Sequence, residues 1–528
     1  MNLTPIVDDL KDRMHRVNIP GAALAIIADG EIVLADGFGV TSVEDAGLPM
    51  TPDTVARAAS ISKSLTATAV MRLVEQGRME LDRPVIEYLG SLRLSLPGAA
   101  ERVTLRMLLS HSGGLSRDVD WWGSRDFDAL EVYVRDVLPT VPMAAPPGVL
   151  WSYSNSGIGL AARVAEVVTD DRYPDLMDEL LFEPLGMTRT TFDLSVAATY
   201  PLSQSHRMDP DGNLSVDHRQ PDAVAFSPSG GALTTVNDLA RYLVMHMSDG
   251  LFEGRHVLQE STVAEMHRSA VSRYTPAGDG YGLGFYTGWH RGRHKVWHWG
   301  RTLRNGGLAI TIPEEKVGLA LLYNRQADRF GGDDFAAMAM DVLLGESGPS
   351  KAPSPAQVAD VDWARWTGRY VGPNVGLVEI ESGEDGTRMI WNGVALKLAR
   401  HGADVLVGRT EDGFDVAVGA VGGPGGAGKF LQINGTPSQR WDGEVQQIEP
   451  ADLAPYVGHY GLFDRILLTV EGGRLMLDSE THGRKLECLA IGKRKFACAI
   501  GTVEFPDTDY AKAPWLKFAE FARFERRG

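Results

Sequence analysis

Three short stretches bring together residue types that could attack a carbonyl: Ser60-Ile61-Ser62-Lys63, Trp151-Ser152-Tyr153-Ser154-Asn155-Ser156-Gly157, and Val296-Trp297-His298-Trp299-Gly300 followed by Arg301. In the first, a hydroxyl and an amine stand three residues apart at the start of the apolar stretch Ile61 to Gln76. One turn of helix puts both on the same side, where they can share a proton. A serine hydroxyl is a poor nucleophile until a base takes its proton, and a lysine held neutral by burial can be that base. The N–H of Ser60, at the helix start, is a donor for a developing oxyanion. Ser60 is the only serine in the sequence that precedes a lysine by three. Read by itself, the pair also fits a serine N-cap followed by a solvated lysine.

The second stretch is a polar loop ahead of the apolar run Ile158 to Val168, and an extended backbone would project Tyr153 and Asn155 from one side. A phenol near Lys63 could pass a proton to a leaving group, and an amide could hold substrate or orient the lysine. In the third stretch, His298 is expected at the edge of a sheet, and the N–H of Arg301 could complete an oxyanion hole opposite Ser60. A lone histidine is more often a satisfied core residue, so His298 draws its interest from the other two motifs.

In this order the motifs resemble the serine β-lactamase and penicillin-binding protein family, with its Ser-x-x-Lys, Tyr-x-Asn and Lys/His-x-Gly signatures. Leu108 to Leu115, Glu183-Pro184-Leu185-Gly186-Met187 and Gly230-Gly231-Ala232-Leu233-Thr234 add to a resemblance that covers about residues 15 to 345. The resemblance implies Ser60 as nucleophile, Lys63 as its base, Tyr153 as proton shuttle, Asn155 as a ligand of substrate or lysine, and His298 with Gly300 as the third motif. Backbone N–H groups of Ser60 and Arg301 would form the oxyanion hole.

Lactamases and cell-wall enzymes usually carry lysine where this chain has His298, and a fixed cation there grips a substrate carboxylate. A histidine near its unperturbed pKa of about 6.5 is mostly neutral at pH 7, so that grip is weaker. The histidine form resembles D-aminopeptidases, D-amino-acid amidases and some esterases. Arg301 and Arg304 keep a carboxylate-binding role open, against their reading as surface charges. By the same resemblance, a loop of a final barrel enters the catalytic cleft, and Asp507 or Asp509 would face a substrate's free amine; a solvated acidic turn is the plainer reading.

The elements that must position these groups follow from the pattern. Ala22 to Ile27, the Asp29-Gly30 pair and Glu31 to Ala35 read as a hairpin. Gly307 to Ile312, a Pro313-to-Lys316 turn and Val317 to Leu322 supply later strands, and Phe335 to Leu344 a helix. Residues 1–347 are therefore expected to form an α/β (α+β) catalytic domain, an antiparallel sheet flanked by helices. The Ser/Pro/Gly-rich stretch is a linker over 348–357. Beyond it, Gly368-Arg369-Tyr370 and Gly458-His459-Tyr460 stand 90 residues apart, each leading into an apolar strand. This spacing predicts two small β-barrels, 358–448 and 449–528.

With 44% hydrophobic and 23% charged residues and a net charge of −17, the composition is that of a globular protein with neither nucleic acid nor membrane as partner. The opening residues lack a basic-then-apolar signal, so a cytoplasmic protein is expected. Cys488 and Cys498 are too few for a disulfide framework and are spaced unlike a zinc site. Gly423 to Lys429 mimics a phosphate loop, but Phe430 stands where a hydroxyl would hold magnesium. No metal and no cofactor are expected. The reading is a serine amidase or peptidase of a small or short-peptide substrate, with a homodimer allowed. Its rivals are an esterase, a β-lactamase or D-Ala-D-Ala carboxypeptidase, an acyl transferase or peptide cyclase, and a non-catalytic sensor.

Overall fold

Gly21–Ala28 (β1) is buried at every position because both of its faces are covered. Ala23, Ala25 and Ile27 join one hydrophobic core, whereas Ala22, Leu24 and Ile26 join another. This is the two-residue period of a strand laid between two layers of helix. The computed structural model describes all residues except 45–46, 117–122, 210–211, 219–222, 303, 328–329, 347, 349–361, 384–385, 392, 402–403, 411–412, 422–427, 462–465, 480–483, 508–511, 519–521 and 527–528. All of the linker expected over 348–357 except Gly348, and most of Gly423 to Lys429, lie outside the described residues.

β1 turns through Asp29 and Gly30, both at positive φ (53° and 78°), into Glu31–Gly39 (β2). Two left-handed residues give the tight turn that matches strand twist. The remaining strands come late in the chain: Val271–Ser272 (β3), Gly280–Tyr281 (β4), Tyr286–His290 (β5), Arg293–Arg301 (β6), Gly306–Ile312 (β7) and Val317–Tyr323 (β8). They form an eight-stranded antiparallel sheet in the order β2-β1-β8-β7-β6-β5-β4-β3.

The expectation that His298 lies at the sheet edge fails here. Its strand β6 is interior, paired to β7 on one side and β5 on the other. The hidden neighbour is β5, five residues with Gly288 at its centre, too short and interrupted to show an alternating pattern.

Thr4–Arg16 (α1) and Gly332–Leu344 (α5) cover one face of the sheet, contributing Ile6, Leu10, Phe335 and Met340 to its core. The other face is covered by Ser62–Glu75 (α2), Asn155–Thr169 (α3) and Val236–Met247 (α4). All positions of α2 from Ser62 to Met71 are buried, polar ones included. Such a helix has no solvent face, so each of its polar side chains must find a partner inside the protein.

The chain divides into two compact units. One comprises Met1–Gly148, Tyr153–Ser272 and Asp279–Pro353; the other comprises Ser354–Gly528 with the short segments Val149–Ser152 and Arg273–Gly278. In the second unit, eight strands from Gly368–Gly372 to Thr436–Arg440 close into a barrel. A second set of eight runs from Gly458–Tyr460 to Ala522–Glu525, and a bridge between Tyr460 and Arg526 joins its ends.

The two barrels repeat one closure. Tyr370 and Tyr460 are fully buried, and each donates its O–H to a carbonyl four residues upstream, Trp366 at 3.0 Å and Tyr456 at 2.8 Å. Each lies under an arginine from the far end of its barrel, Arg440 at 5.2 Å and Arg526 at 5.6 Å from the ring centroid. The architecture is thus an α/β domain, an antiparallel sheet between layers of helix, followed by two β-barrels. Among the described residues, no helix is long and apolar enough to cross a membrane.

Candidate active site

The first motif sits on a tight turn rather than directly on a helix. Ser60 lies in the 3-10 turn Ala59–Ile61, which runs straight into α2, and Ala59 before it has φ of +49°. A left-handed alanine is uncommon and persists only where its surroundings over-determine it. Those surroundings are visible: the Ala58 N–H donates to the Ala232 carbonyl at 2.9 Å. Ser62 Oγ donates to the Ala59 carbonyl at 2.6 Å and accepts the Ala232 N–H at 3.0 Å. From the sheet side, Gly300 is pressed so close that a Cβ there would stand 2.1 Å from the Ala58 carbonyl oxygen. The glycine of the third motif therefore lets β6 reach the nucleophile turn.

Lys63, the second residue of α2, is fully buried. Its Nζ lies 3.1 Å from Ser60 Oγ and donates to the Ser229 carbonyl at 2.6 Å. It also stands 4.7 Å from the centroid of the Tyr153 ring. The solvated-lysine reading of this motif is excluded by that burial.

Tyr153 is positioned by the cap of the next helix. Ser154 Oγ accepts the Gly157 N–H at 2.9 Å to cap α3, and itself donates to the Ser116 carbonyl at 2.8 Å. The Ser154 N–H donates to His111 Nδ1 at 3.2 Å, and the His111 ring packs against Tyr153 with centroids 4.5 Å apart. Asn155, the first residue of α3, is buried.

His298 is 1% exposed, and both ring nitrogens are engaged: Nδ1 lies 2.7 Å from the Trp299 carbonyl and Nε2 lies 3.0 Å from the Tyr281 hydroxyl. Its ring centroid is 6.4 Å from that of Tyr153. Ser60, Lys63, Tyr153 and His298 thus form a continuous series. Arg301 is exposed at the end of β6. Arg304 Nε donates to Asp217 at 2.9 Å in a largely buried ion pair. Asp507, in the second unit, is exposed, with Lys493 and Arg494 at 3.7 and 3.9 Å; Asp509 lies outside the described residues.

Three contributors carried no assigned role in the sequence reading. The Ser229 carbonyl belongs to the Ser227–Gly231 turn just ahead of Ala232, and the Gly230-Gly231 pair was the signal available for it. His111 has φ of +58° and packs its ring at a tilt against both Tyr153 and Tyr281. Its signal was the Ser110-His111-Ser112-Gly113-Gly114 loop. Tyr281 had only a Gly-Tyr-Gly context.

A model of the family described as Beta-lactamase matches residues 6–341. Penicillin-binding protein 4 of Amycolatopsis lactamdurans is 29% identical over 376 residues, 69% of this chain and 95% of that protein. The octameric penicillin-binding protein homologue from Pyrococcus abyssi superposes with a TM-score of 0.59 at 24% identity, over 95% of this chain and 98% of that one. The structure of SurE with D-Leu superposes with a TM-score of 0.62 at 22% identity, over 83% of this chain and 99% of that one. The family match spans both the sheet and the Ser60–Lys63 pair, and with it the chain belongs to the Beta-lactamase family, as a serine hydrolase of the β-lactamase and penicillin-binding protein kind.

Proposed function

We propose that the chain cleaves an amide or peptide bond of a small or short-peptide substrate with a D-configured residue, in the manner of a D-aminopeptidase or D-amino-acid amidase. The observation that carries this reading is the buried Lys63 amine 3.1 Å from Ser60 Oγ, beside a histidine third motif whose nitrogens are already bonded. In its neutral form Lys63 has one lone pair, and Ser60 Oγ at 3.1 Å is within reach of it. Ser60 Oγ adds to the substrate carbonyl as its proton passes to Lys63, giving an oxyanion held by the Ser60 and Arg301 N–H groups. The proton then moves to the leaving amine, by way of Tyr153, as the C–N bond breaks. Water attacks the resulting ester, the same base takes its proton, and acid and free Ser60 are released.

A third motif without a fixed cation favours substrates that do not end in a carboxylate, which supports amides over cell-wall peptides. The D preference draws on the D-Leu bound in the related SurE fold. The deciding experiment is a panel of p-nitroanilides, amides and esters of D- and L-amino acids, with nitrocefin. The expected outcome is fastest turnover of D-amino-acid amides and p-nitroanilides, with release of the free acid. Turnover of esters or nitrocefin alone, coupling of the acyl group to an added amine, or no turnover of any substrate would each replace this reading with one of its rivals.

A further inference from the structure

We propose that Tyr281 is a specificity-determining positioning residue: by occupying Nε2 of His298, its hydroxyl keeps the third motif from acting as a carboxylate grip. The inference deepens the amidase reading and rests on it for its biological meaning. Tyr281 is fully buried on β4, so its phenol must be satisfied inside the protein. The partner in place is His298 Nε2, at 3.0 Å. The other ring nitrogen, Nδ1, lies 2.7 Å from the Trp299 carbonyl, which can only accept, so Nδ1 carries the hydrogen. With that tautomer fixed, Nε2 is the acceptor and Tyr281 the donor, and both of these bonds are made by a neutral imidazole. A second proton on Nε2 would turn the Tyr281 contact around and require that hydroxyl to find a new acceptor.

The surroundings hold this arrangement in place. Tyr281 is packed by the His111 ring at 4.7 Å and the Tyr286 ring at 4.8 Å. His298 is faced by Tyr286 at 5.1 Å, by Tyr281 at 6.1 Å and by Tyr153 at 6.4 Å, and Lys63 Nζ stands 4.7 Å from the centroid of that Tyr153 ring. No carboxylate is among these groups, so nothing in this set favours an imidazolium. The wall that in lysine-bearing relatives offers a cation offers here a neutral, already bonded ring.

Two acylating probes separate this idea from the identity of the natural substrate. With benzylpenicillin, the Ser60 Oγ–C bond forms, the lactam C–N bond breaks and the nitrogen takes the serine proton. With a fluorophosphonate, the Oγ–P bond forms and fluoride leaves as the base takes the proton. Both use Ser60 and its base, but only the penicillin carries a carboxylate. For the wild type, the ratio of penicillin to fluorophosphonate acylation rates should change less than twofold between pH 8 and pH 6. In Tyr281→Phe, which keeps the ring and removes the hydroxyl, Nε2 loses the donor that opposes its protonation. That ratio should rise at least fivefold at pH 6 and return towards the wild-type value at pH 8. A wild-type ratio that itself rises several-fold on acidification overturns the proposal. So does a Tyr281→Phe ratio equal to wild type at both pH values, however much the two rates fall together. If the variant fails to fold, the wild-type ratio decides alone. Failure of the amide panel with these ratios as expected would reject the amidase reading and leave the role of Tyr281 standing.

Discussion

Helix α2 serves two polar clusters of different composition and opposite use. At its N-terminal end, Lys63 reaches Ser60, the Ser229 carbonyl and the Tyr153 ring. Little more than a turn further on, Thr68 Oγ1 donates to the Ser64 carbonyl at 2.9 Å and lies 3.0 Å from Tyr242 Oη and 3.1 Å from His246 Nε2. His246 Nδ1 in turn lies 3.2 Å from His267 Nε2. The second cluster closes on itself. With the Thr68 hydrogen given to Ser64, Tyr242 O–H and His246 Nε2–H donate to Thr68, and His267 Nε2–H donates to His246, all of them neutral. The first cluster keeps a nucleophile that is only partly buried at its end. One set of hydrogen bonds lies wholly inside the core; the other ends on the partly exposed Ser60 hydroxyl.

The sharpest break in that comparison is at the nucleophile. Ser60→Ala should abolish fluorophosphonate labelling and lower turnover of the best panel substrate by at least a thousandfold, about 4 kcal/mol of transition-state stabilisation. Thermal melting should be unchanged. An adduct on another serine would reject the assignment. Lys63→Met should cost a similar factor, because the thioether fills the space of the stem but cannot take a proton. Unlike a structural deletion, it should leave the melting temperature equal or higher, since a buried amine is replaced by an apolar group. Activity within tenfold of wild type would show that Lys63 is not the base.

Acid should act on the closed cluster. Burial holds His246 well below the ordinary histidine range, and burial, with His294 nearby, holds His267 down to about 3. Both are therefore neutral in the folded protein, while in the unfolded chain they titrate near 6.5. Their contribution is fully present above pH 6.5 and is lost as pH falls towards the folded values, because the unfolded state takes up protons that the folded state refuses. Each imidazole contributes a loss of about 1.4 kcal/mol per pH unit below about 6. Denaturant melts at pH 7.5, 6 and 5 should show this decline, and His246→Phe should flatten it. An equally steep decline in that variant would place the acid sensitivity elsewhere.

How much of this was legible depended on sequence distance. The Ser60–Lys63 pair and the Asp29-Gly30 turn could be read because their partners are neighbours in the chain, and helix or strand geometry alone decides what meets. The Tyr370 and Tyr460 repeat was visible as a spacing, but not its arginine lids, which come from 70 and 66 residues downstream. The interior place of His298 was hidden by the short, glycine-interrupted β5. Tyr281 and Ser229 were illegible as site components for a simpler reason. One contributes a hydroxyl across the sheet and the other a backbone carbonyl from 166 residues away, and a carbonyl has no residue type to recognise.

The smallest effect, and the test of whether the two clusters are independent, is at Thr68. Thr68→Val keeps the shape and removes the hydroxyl that accepts from Tyr242 and His246. His246 then loses its Thr68 partner while Tyr242 keeps Ser64 beside it, and the expected cost is about 1–3 kcal/mol of stability. Thr68 is five positions along α2 from Lys63, and its network turns towards α4 rather than towards Ser60. The kcat/KM of the best panel substrate should therefore stay within threefold of wild type at a temperature where the variant is fully folded. Lys63→Met and Thr68→Val thus make opposite lesions on one helix: activity without stability, then stability without activity. A Thr68→Val variant that melts normally but loses tenfold in kcat/KM would show that the closed cluster supports the position of Lys63. The helix would then have to be treated as a single polar network running from Ser60 to His267.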